Sequence, residues 1–129
     1  MNLSKKSEYI IPSESDEQMT LFEWCEIYKA KYPELKLLFH IPNGGKRYKS
    51  TAIRLKKEGV KSGIPDLMLP VPTISYHGLF IEMKSTDKYA NVSKSQEEWI
   101  NLLSLNGYKA IVCHGWQQAT KEILNYLNY

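Results

Sequence analysis

The chain has 129 residues and a formal net charge of +3, a length that fits a single domain with its own core. Hydrophobic residues make up 43% and charged residues 24% of it, which excludes a chain that is disordered throughout. No apolar run reaches the roughly 18 residues that cross a bilayer, and no signal peptide is recognisable. The only cysteines, Cys25 and Cys113, fit neither a disulfide framework nor a zinc site. We therefore expect a reduced cytoplasmic protein without a membrane segment.

The positive charge is concentrated in one segment. Residues 46–61 contain seven basic residues and one acid and carry +6, whereas the rest of the chain carries −3. Such a segment is typical of a surface that binds a polyanion, and a solvated helix face would look the same. The basic residues are Lys46, Arg47, Lys49, Arg54, Lys56, Lys57 and Lys61.

The first half of the chain predicts two helices and one strand. Residues 1–12 lack periodicity and are expected to form a flexible N-terminal arm ahead of a single domain at 13–129. Ser15-x-x-Gln18 matches a capping box for a helix that ends near residue 31, with Leu21, Phe22, Cys25 and Tyr28 as its buried stripe. Large apolar residues at 35–41 predict a strand before a Gly-rich turn. A basic helix is expected at about 50–58.

The second half predicts three strands and two helices. Strands are expected at 66–70, 79–84 and 108–113. Ser93-x-x-Gln96 matches a capping box for a helix that ends near residue 105, and the last helix is expected at 116–126. The predicted order is αβαββαβα, which indicates an α/β fold with one mixed central sheet and helices on both faces.

Charged residues interrupt the apolar strand at 79–84. Because alternate residues of a strand share a face, Glu82 and Lys84 lie on the same face, about 6.6 Å apart along the strand. The neighbouring residues are apolar, so the strand is expected to be central. Ionised side chains are costly in such a place unless they are paired or bound to a metal.

A second acid precedes the neighbouring strand. If the two strands form a hairpin symmetric about Ile74, Asp66 lies opposite Glu82, with Cβ atoms roughly 4.5–5.5 Å apart. Two like charges repel there, and a cation such as Mg²⁺ between them would remove the repulsion. A slip of one residue would separate the acids. A generic turn at 63–66 and a simple Glu82–Lys84 ion pair are the structural alternatives.

Pro65-Asp66 followed by Glu82-x-Lys84 resembles the motif of the PD-(D/E)XK nuclease superfamily. More narrowly, residues 13–127 resemble the VRR-NUC family in the stand-alone form of phages and prophages. The supporting segments are Ile41-Pro42-Asn43-Gly44-Gly45-x-Arg47, Leu55-Lys56-x-Glu58-Gly59-Val60, Gly63-x-Pro65-Asp66, Leu79-Phe80-Ile81-Glu82-x-Lys84, Ser95-Gln96-x-x-Trp99 and Asn106-Gly107-Tyr108. The resemblance implies a restriction-endonuclease-like α/β fold and a nuclease activity.

The resemblance also implies roles for site residues. Asp66, Glu82 and the backbone carbonyl of Met83 would bind Mg²⁺, with Mn²⁺ able to substitute, and Lys84 would lie beside the attacking water. A family glutamate on the first helix fits Glu14 in Glu14-x-x-x-Gln18. Glu17 is the alternative, and acids at a helix N-terminus also have a purely structural explanation.

Gln96 matches a family glutamine that would position water or phosphate, and its capping role is compatible with this. The DNA backbone would be bound without reading of bases. The residues expected to bind it are Asn43, Gly44, Lys46, Arg47, Lys49, Arg54, Lys57 and Lys61.

The function expected from the sequence is that of a Mg²⁺-dependent DNA endonuclease in a bacterial or phage-infected cell. Its substrate would be branched DNA, such as Holliday junctions or flaps, cut with little sequence specificity. Cutting two strands would call for a homodimer, to which aromatic residues at 126–129 could contribute. The alternatives are a non-catalytic DNA-binding module on a nuclease fold and a structural protein whose basic helix is merely solvated.

Overall fold

The computed structural model describes residues 10–42 and 49–129. In this part of the chain no helix is long and apolar enough to cross a membrane. The elements, in chain order, are α1 (Glu14–Tyr28), a short 3-10 helix (Pro33–Leu37), β1 (Phe39–His40), α2 (Lys49–Lys57), β2 (Leu67–Leu69), β3 (Leu79–Lys84), α3 (Lys94–Leu105), β4 (Lys109–His114) and α4 (Trp116–Leu127).

One mixed sheet of four strands, in the order β1-β2-β3-β4, organises the fold. The first three strands are antiparallel neighbours, and β4 lies parallel to β3 after a crossover through α3. The predicted α/β fold and its order of helices and strands are confirmed. The 3-10 helix is the addition that the sequence pattern did not predict.

The first helix begins within the expected region around residues 13–15, but its cap lies two residues before the predicted capping box. Its N-cap is Ser13, whose hydroxyl accepts a hydrogen bond from the Asp16 N–H at 3.0 Å, while the Asp16 carboxylate accepts from the Ser13 N–H. The cap at Ser15 was wrong because Ser13-x-x-Asp16 provides the same reciprocal bonds two residues earlier. The predicted buried stripe is correct at Leu21 and Cys25 and wrong at Tyr28, which is 41% exposed.

The strand predicted for 35–41 was also largely wrong. Pro33 opens a 3-10 helix instead, and only two residues, Phe39 and His40, pair as a strand. The apolar residues of this segment follow a spacing of three, since Leu35 and Leu38 are buried while Leu37 is 49% exposed. A spacing of three is the period of a 3-10 helix, and Pro fits its first turn.

The two faces of the sheet carry different layers. Leu79, Ile81 and Met83 point to one face, where α1 and α4 cover them with Leu21, Cys25, Ala119 and Ile123 to form the core. The alternate residues of β3 point to the other face, where α3 lies. All six residues of β3 are buried, so this strand is central, as predicted. Tyr126 is buried too, which removes it from the aromatic surface expected at 126–129.

The turn before β2 is fastened to α3. The indole N–H of Trp99 donates to the Ser62 carbonyl at 3.0 Å. Gly63 has a φ of +87°, and a Cβ on it would lie 2.7 Å from the Ser95 backbone. Glycine is required here both by its left-handed conformation and by this close approach. The turn therefore fixes the position of Asp66 relative to α3.

We expect Gly63→Ala to destabilise the protein more than Gly59→Ala does. Gly59 also has a positive φ, +98°, but nothing lies within 4 Å of its Cβ position. The Gly59 variant should lose about 1–2 kcal/mol through backbone strain alone, and the Gly63 variant should lose more because of the clash. Urea unfolding of both variants would measure the difference. Equal losses would contradict the close approach between the turn and α3.

Candidate active site

The half-buried Asp66 lies directly before β2 and is held from both sides. One of its carboxylate oxygens accepts a hydrogen bond from the Met83 N–H of β3 at 2.8 Å. Its backbone carbonyl accepts from the Ile41 N–H at 2.7 Å and from the His40 ring Nδ1 at 2.9 Å. The aspartate is thus fixed between β1 and β3 at the point where the strands end.

The register of the β2–β3 pair confirms the predicted hairpin. Leu69 pairs with Leu79 and Leu67 with Ile81, the alignment symmetric about Ile74. Continued by one residue, this alignment places Asp66 opposite Glu82. The two acids that the sequence separates by a loop therefore lie side by side.

Glu82 is the most constrained side chain of the group. It is 2% exposed, and its Oε1 accepts a hydrogen bond from the Gln96 amide at 2.9 Å. Its Oε2 is buried and has no hydrogen-bond partner in the described part of the chain. A buried carboxylate oxygen without a partner is costly, so this atom has capacity for a ligand.

Gln96 makes hydrogen bonds both to the start of α3 and to Glu82. Its side-chain oxygen accepts from the Ser93 N–H at 2.8 Å, and its own N–H donates to the Ser93 hydroxyl at 3.2 Å, so it completes the capping box of α3. The amide nitrogen of the same side chain reaches Glu82. The helix start and the orientation of the Glu82 carboxyl are therefore linked through one residue.

Lys84 lies at the end of β3 and is 8% exposed. Its Nζ is 3.6 Å from an oxygen of Glu14 on α1, whose side chain is 51% exposed. The structure thus brings Glu14 to the rim of the Asp66–Glu82 group through Lys84.

Glu17, the alternative acid of the first helix, faces a different place. It is 5% exposed, its Oε2 has no hydrogen-bond partner among the described residues, and it lies against Gly115 and Thr86. A Cβ at Gly115 would lie 2.8 Å from that oxygen. Glu17 therefore packs beside the start of α4, while Glu14 is the acid that contacts the predicted lysine.

The electrostatics of the group centre on Glu82. Burial of its carboxyl group, followed by the charge of the neighbouring Asp66 and a side-chain hydrogen bond that the protonated Glu82 can donate to Asp66, raises the pKa of Glu82 to about 8, while Lys84 opposes the shift. Without a cation, the summed charge of the Asp66 and Glu82 carboxyl groups near neutral pH is therefore smaller in magnitude than two negative charges. A divalent ion would reverse this preference, because it favours both ionised carboxylates.

The group fits a hard divalent cation. The partnerless Oε2 of Glu82 lies buried beside a second carboxylate, that of Asp66. Met83 directs its N–H towards Asp66, and in an extended strand the carbonyl of the same residue points to the same side. Within 10–42 and 49–129, no three His, Cys, Asp or Glu side chains form a metal-binding cluster. Two carboxylates and a carbonyl, completed by water, are a common ligand set for Mg²⁺.

The residues predicted to bind DNA are only partly described. Asn43, Gly44, Lys46 and Arg47 lie outside the described residues. Lys49, Arg54 and Lys57 are exposed on α2, a helix without any buried residue, and Lys61 is exposed after it. Arg54 also forms an exposed ion pair with Glu58 at 3.1 Å. The described part of the basic segment is thus a solvated surface, as both sequence interpretations expected.

Three contacts that hold the site in place were not predicted from the sequence, although Trp99 belongs to one of the supporting motifs. His40, His114 and Trp99 hold backbone carbonyls through ring N–H groups, and His114 pairs with Lys84 in the parallel register. Isolated histidines give no spacing signal, so only the strand pairing reveals them.

The raised pKa of Glu82 makes stability depend on pH. In metal-free protein the folded state holds a proton on Glu82 up to about pH 8, whereas the unfolded chain loses it near 4.5. The folded state binds more protons in this window, so the free energy of unfolding should fall as pH rises from about 4.5 to about 8. The fall is on the order of a few kcal/mol.

Urea unfolding in EDTA across this pH range would measure the effect. Glu82→Gln should abolish most of the fall, and Glu98→Gln, an exposed change on α3, should leave it intact. If Glu82→Gln kept the full pH dependence, another group would be responsible.

Comparison with known proteins places this domain in a family. The family model described as "VRR-NUC domain" matches residues 13–117. A solved structure described as "VRR_NUC domain protein" superimposes with a TM-score of 0.79 at 30% sequence identity, covering 92% of this chain and 91% of that one. No curated protein matches significantly. With its domain matched in both sequence and structure, the chain belongs to the VRR-NUC family of nuclease-type domains.

Proposed function

We propose that the protein is a Mg²⁺-dependent endonuclease that hydrolyses phosphodiester bonds in DNA, with Mn²⁺ able to replace Mg²⁺. The observation that carries this proposal is the pair of a half-buried Asp66 and a buried Glu82, in which one oxygen of Glu82 receives no hydrogen bond from the described residues. Placing two acids side by side with little access to water costs stability unless they are paired or bound to a metal, and a divalent cation between Asp66 and Glu82 would remove that cost.

The proposed divalent ion would neutralise charge on the scissile phosphate and lower the pKa of a bound water. Asp66 and Glu82 would hold it with the Met83 carbonyl. Gln96 keeps Oε1 of Glu82 occupied and so leaves Oε2 for the ion. Glu14, 3.6 Å from Lys84, would act on the same group directly or through water.

Lys84 would supply the positive charge for the transition state. Its ammonium lies on a buried strand, where water screens charge poorly, so its effect on a developing oxyanion is stronger than at an exposed site. A lysine suits this task because it is a compact charge on a long stem. Lys84 would orient the attacking water or stabilise the phosphorane, and Gln96 would help to position water or phosphate.

The proposed substrate is branched DNA, such as a Holliday junction or a flap, bound mainly through its backbone. The exposed basic residues Lys49, Arg54, Lys57 and Lys61 would contact phosphates, with Asn43, Gly44, Lys46 and Arg47 beside them in sequence. Phosphate contacts carry little sequence information. Cutting two strands would require a homodimer, which light scattering would detect.

A cleavage panel tests this function. Labelled four-way junctions, flaps, nicked duplexes and linear duplexes would be incubated with the protein in Mg²⁺, Mn²⁺ or EDTA. The proposal expects cutting of branched DNA with either metal and none in EDTA. Binding without metal-dependent cutting would favour the non-catalytic module instead.

We expect Asp66→Ala and Lys84→Ala to fold, bind branched DNA and lose at least ~100-fold in cleavage rate, because each removes a group that stabilises the transition state. Cleavage time courses with Mg²⁺ measure this. Glu98→Gln, on the exposed surface of α3, is the control and should cut normally. Full activity in either site variant would refute the assignment.

We expect binding to fall steeply with salt because it releases counterions from the phosphates. Lys57→Ala should reduce the slope of log K against log salt by about 0.9 if Lys57 contacts one phosphate. The loss should be similar on DNA of different sequence. Lys121→Ala, an exposed change on α4, is the control. An unchanged slope for Lys57→Ala would remove α2 from the DNA-binding surface.

A further inference from the structure

The loop between β3 and α3 presents an aromatic side chain to solvent. Tyr89 is 76% exposed, and the Lys88 ammonium lies 5.0 Å from the centre of its ring. The exposed ring leaves its aromatic surface available for a ligand. An aromatic face next to a lysine is a combination that can bind both a base and its phosphate.

The loop is ordered by its own hydrogen bonds. The Asp87 N–H donates to the Ser85 hydroxyl at 3.1 Å, and the Tyr89 N–H donates to the Asp87 carboxylate at 2.9 Å. The Ala90 N–H donates to the Asp87 carbonyl at 2.9 Å. These are Asx and Ser turns that fix the backbone on both sides of residue 88. The backbone of Tyr89 is therefore pre-organised, which reduces the entropy cost of binding.

Both ends of the loop are attached to the proposed catalytic group. It begins directly after Lys84, where the His114 ring holds the Ser85 carbonyl at 3.0 Å. It ends at Ser93, the cap that binds Gln96. The five steps from Lys84 to Tyr89 span at most about 18 Å even when the chain is extended. That length is about five base pairs along a duplex, so Tyr89 would lie within about five nucleotides of a phosphate bound at Lys84.

We propose that the Tyr89 ring is a stacking platform for an unpaired DNA base near the scissile phosphate, with Lys88 pairing with the adjacent phosphate. This inference rests on the proposed function and specifies its substrate. A ring face can stack on a base only when that base has left its own stack, as in a flap or a single strand. Through Tyr89, the protein would then prefer DNA with unpaired bases near the cut, without recognising the base sequence.

Binding in EDTA tests the inference without relying on cleavage. Fluorescence anisotropy would compare a single-stranded oligonucleotide with a blunt duplex of equal length. Tyr89→Ala should weaken single-strand binding about 5- to 140-fold, the range for loss of one stacked base, and leave duplex binding unchanged. Tyr89→Phe keeps the ring and should bind both probes like the original protein.

The control is Leu105→Ala. Leu105 is 83% exposed and is the last residue of α3, whose 12 residues lead about 18 Å away from Ser93. This variant should bind both probes normally. The inference would be overturned if Tyr89→Ala weakened binding to both oligonucleotides equally. It would also be overturned if single-strand binding did not change.

The two proposals fail separately. If the original protein cuts no DNA in Mg²⁺ but Tyr89→Ala selectively loses single-strand binding, the nuclease proposal fails and the stacking role stands. If the original protein cuts branched DNA and Tyr89→Ala keeps full single-strand affinity, the stacking role fails and the nuclease proposal stands.

Discussion

The structure depends on one strand register. The antiparallel pairing of Leu69 with Leu79 brings Asp66 beside Glu82, and a shift of one residue would turn one acid away from the other. That register is set by the apolar residues of β2 and β3, whose inward positions must meet the core under α1 and α4. Hydrophobic burial therefore supplies the free energy that holds two repelling carboxyl groups together.

Several residues around Asp66 and Glu82 both stabilise the local fold and position the two acids. Gln96 caps α3 and orients Glu82, while Trp99 and Gly63 join that helix to the turn that carries Asp66. Because the same contacts define the helix start and the site, the geometry of the carboxyl groups is as rigid as the packing around them. Such rigidity suits chemistry in which atoms must be held within a fraction of an ångström.

The central strand and its register were predicted correctly from the sequence, whereas the segment before β1 was not. Long patterns with clear periods, such as β3 and the capping box at Ser93, gave the right elements, and symmetry about Ile74 gave the right register. The segment at 33–41 misled because Leu35 and Leu38 follow a three-residue period that a short apolar run does not distinguish from a strand. The nearness of Glu14 to Lys84 and the burial of Glu17 required tertiary packing, since both acids fit the same helix face.

The packing of α1 on α4 has a consequence for the timing of site assembly. Leu21 and Cys25 of α1 share a core with Ala119 and Ile123, which lie about a hundred residues later in the chain. A ribosome releases α1 early and α4 much later. Until α4 emerges, the helix that carries Glu14 lacks part of the surface that it packs against. A chain still being synthesised therefore lacks part of the packing that holds Glu14 near Lys84.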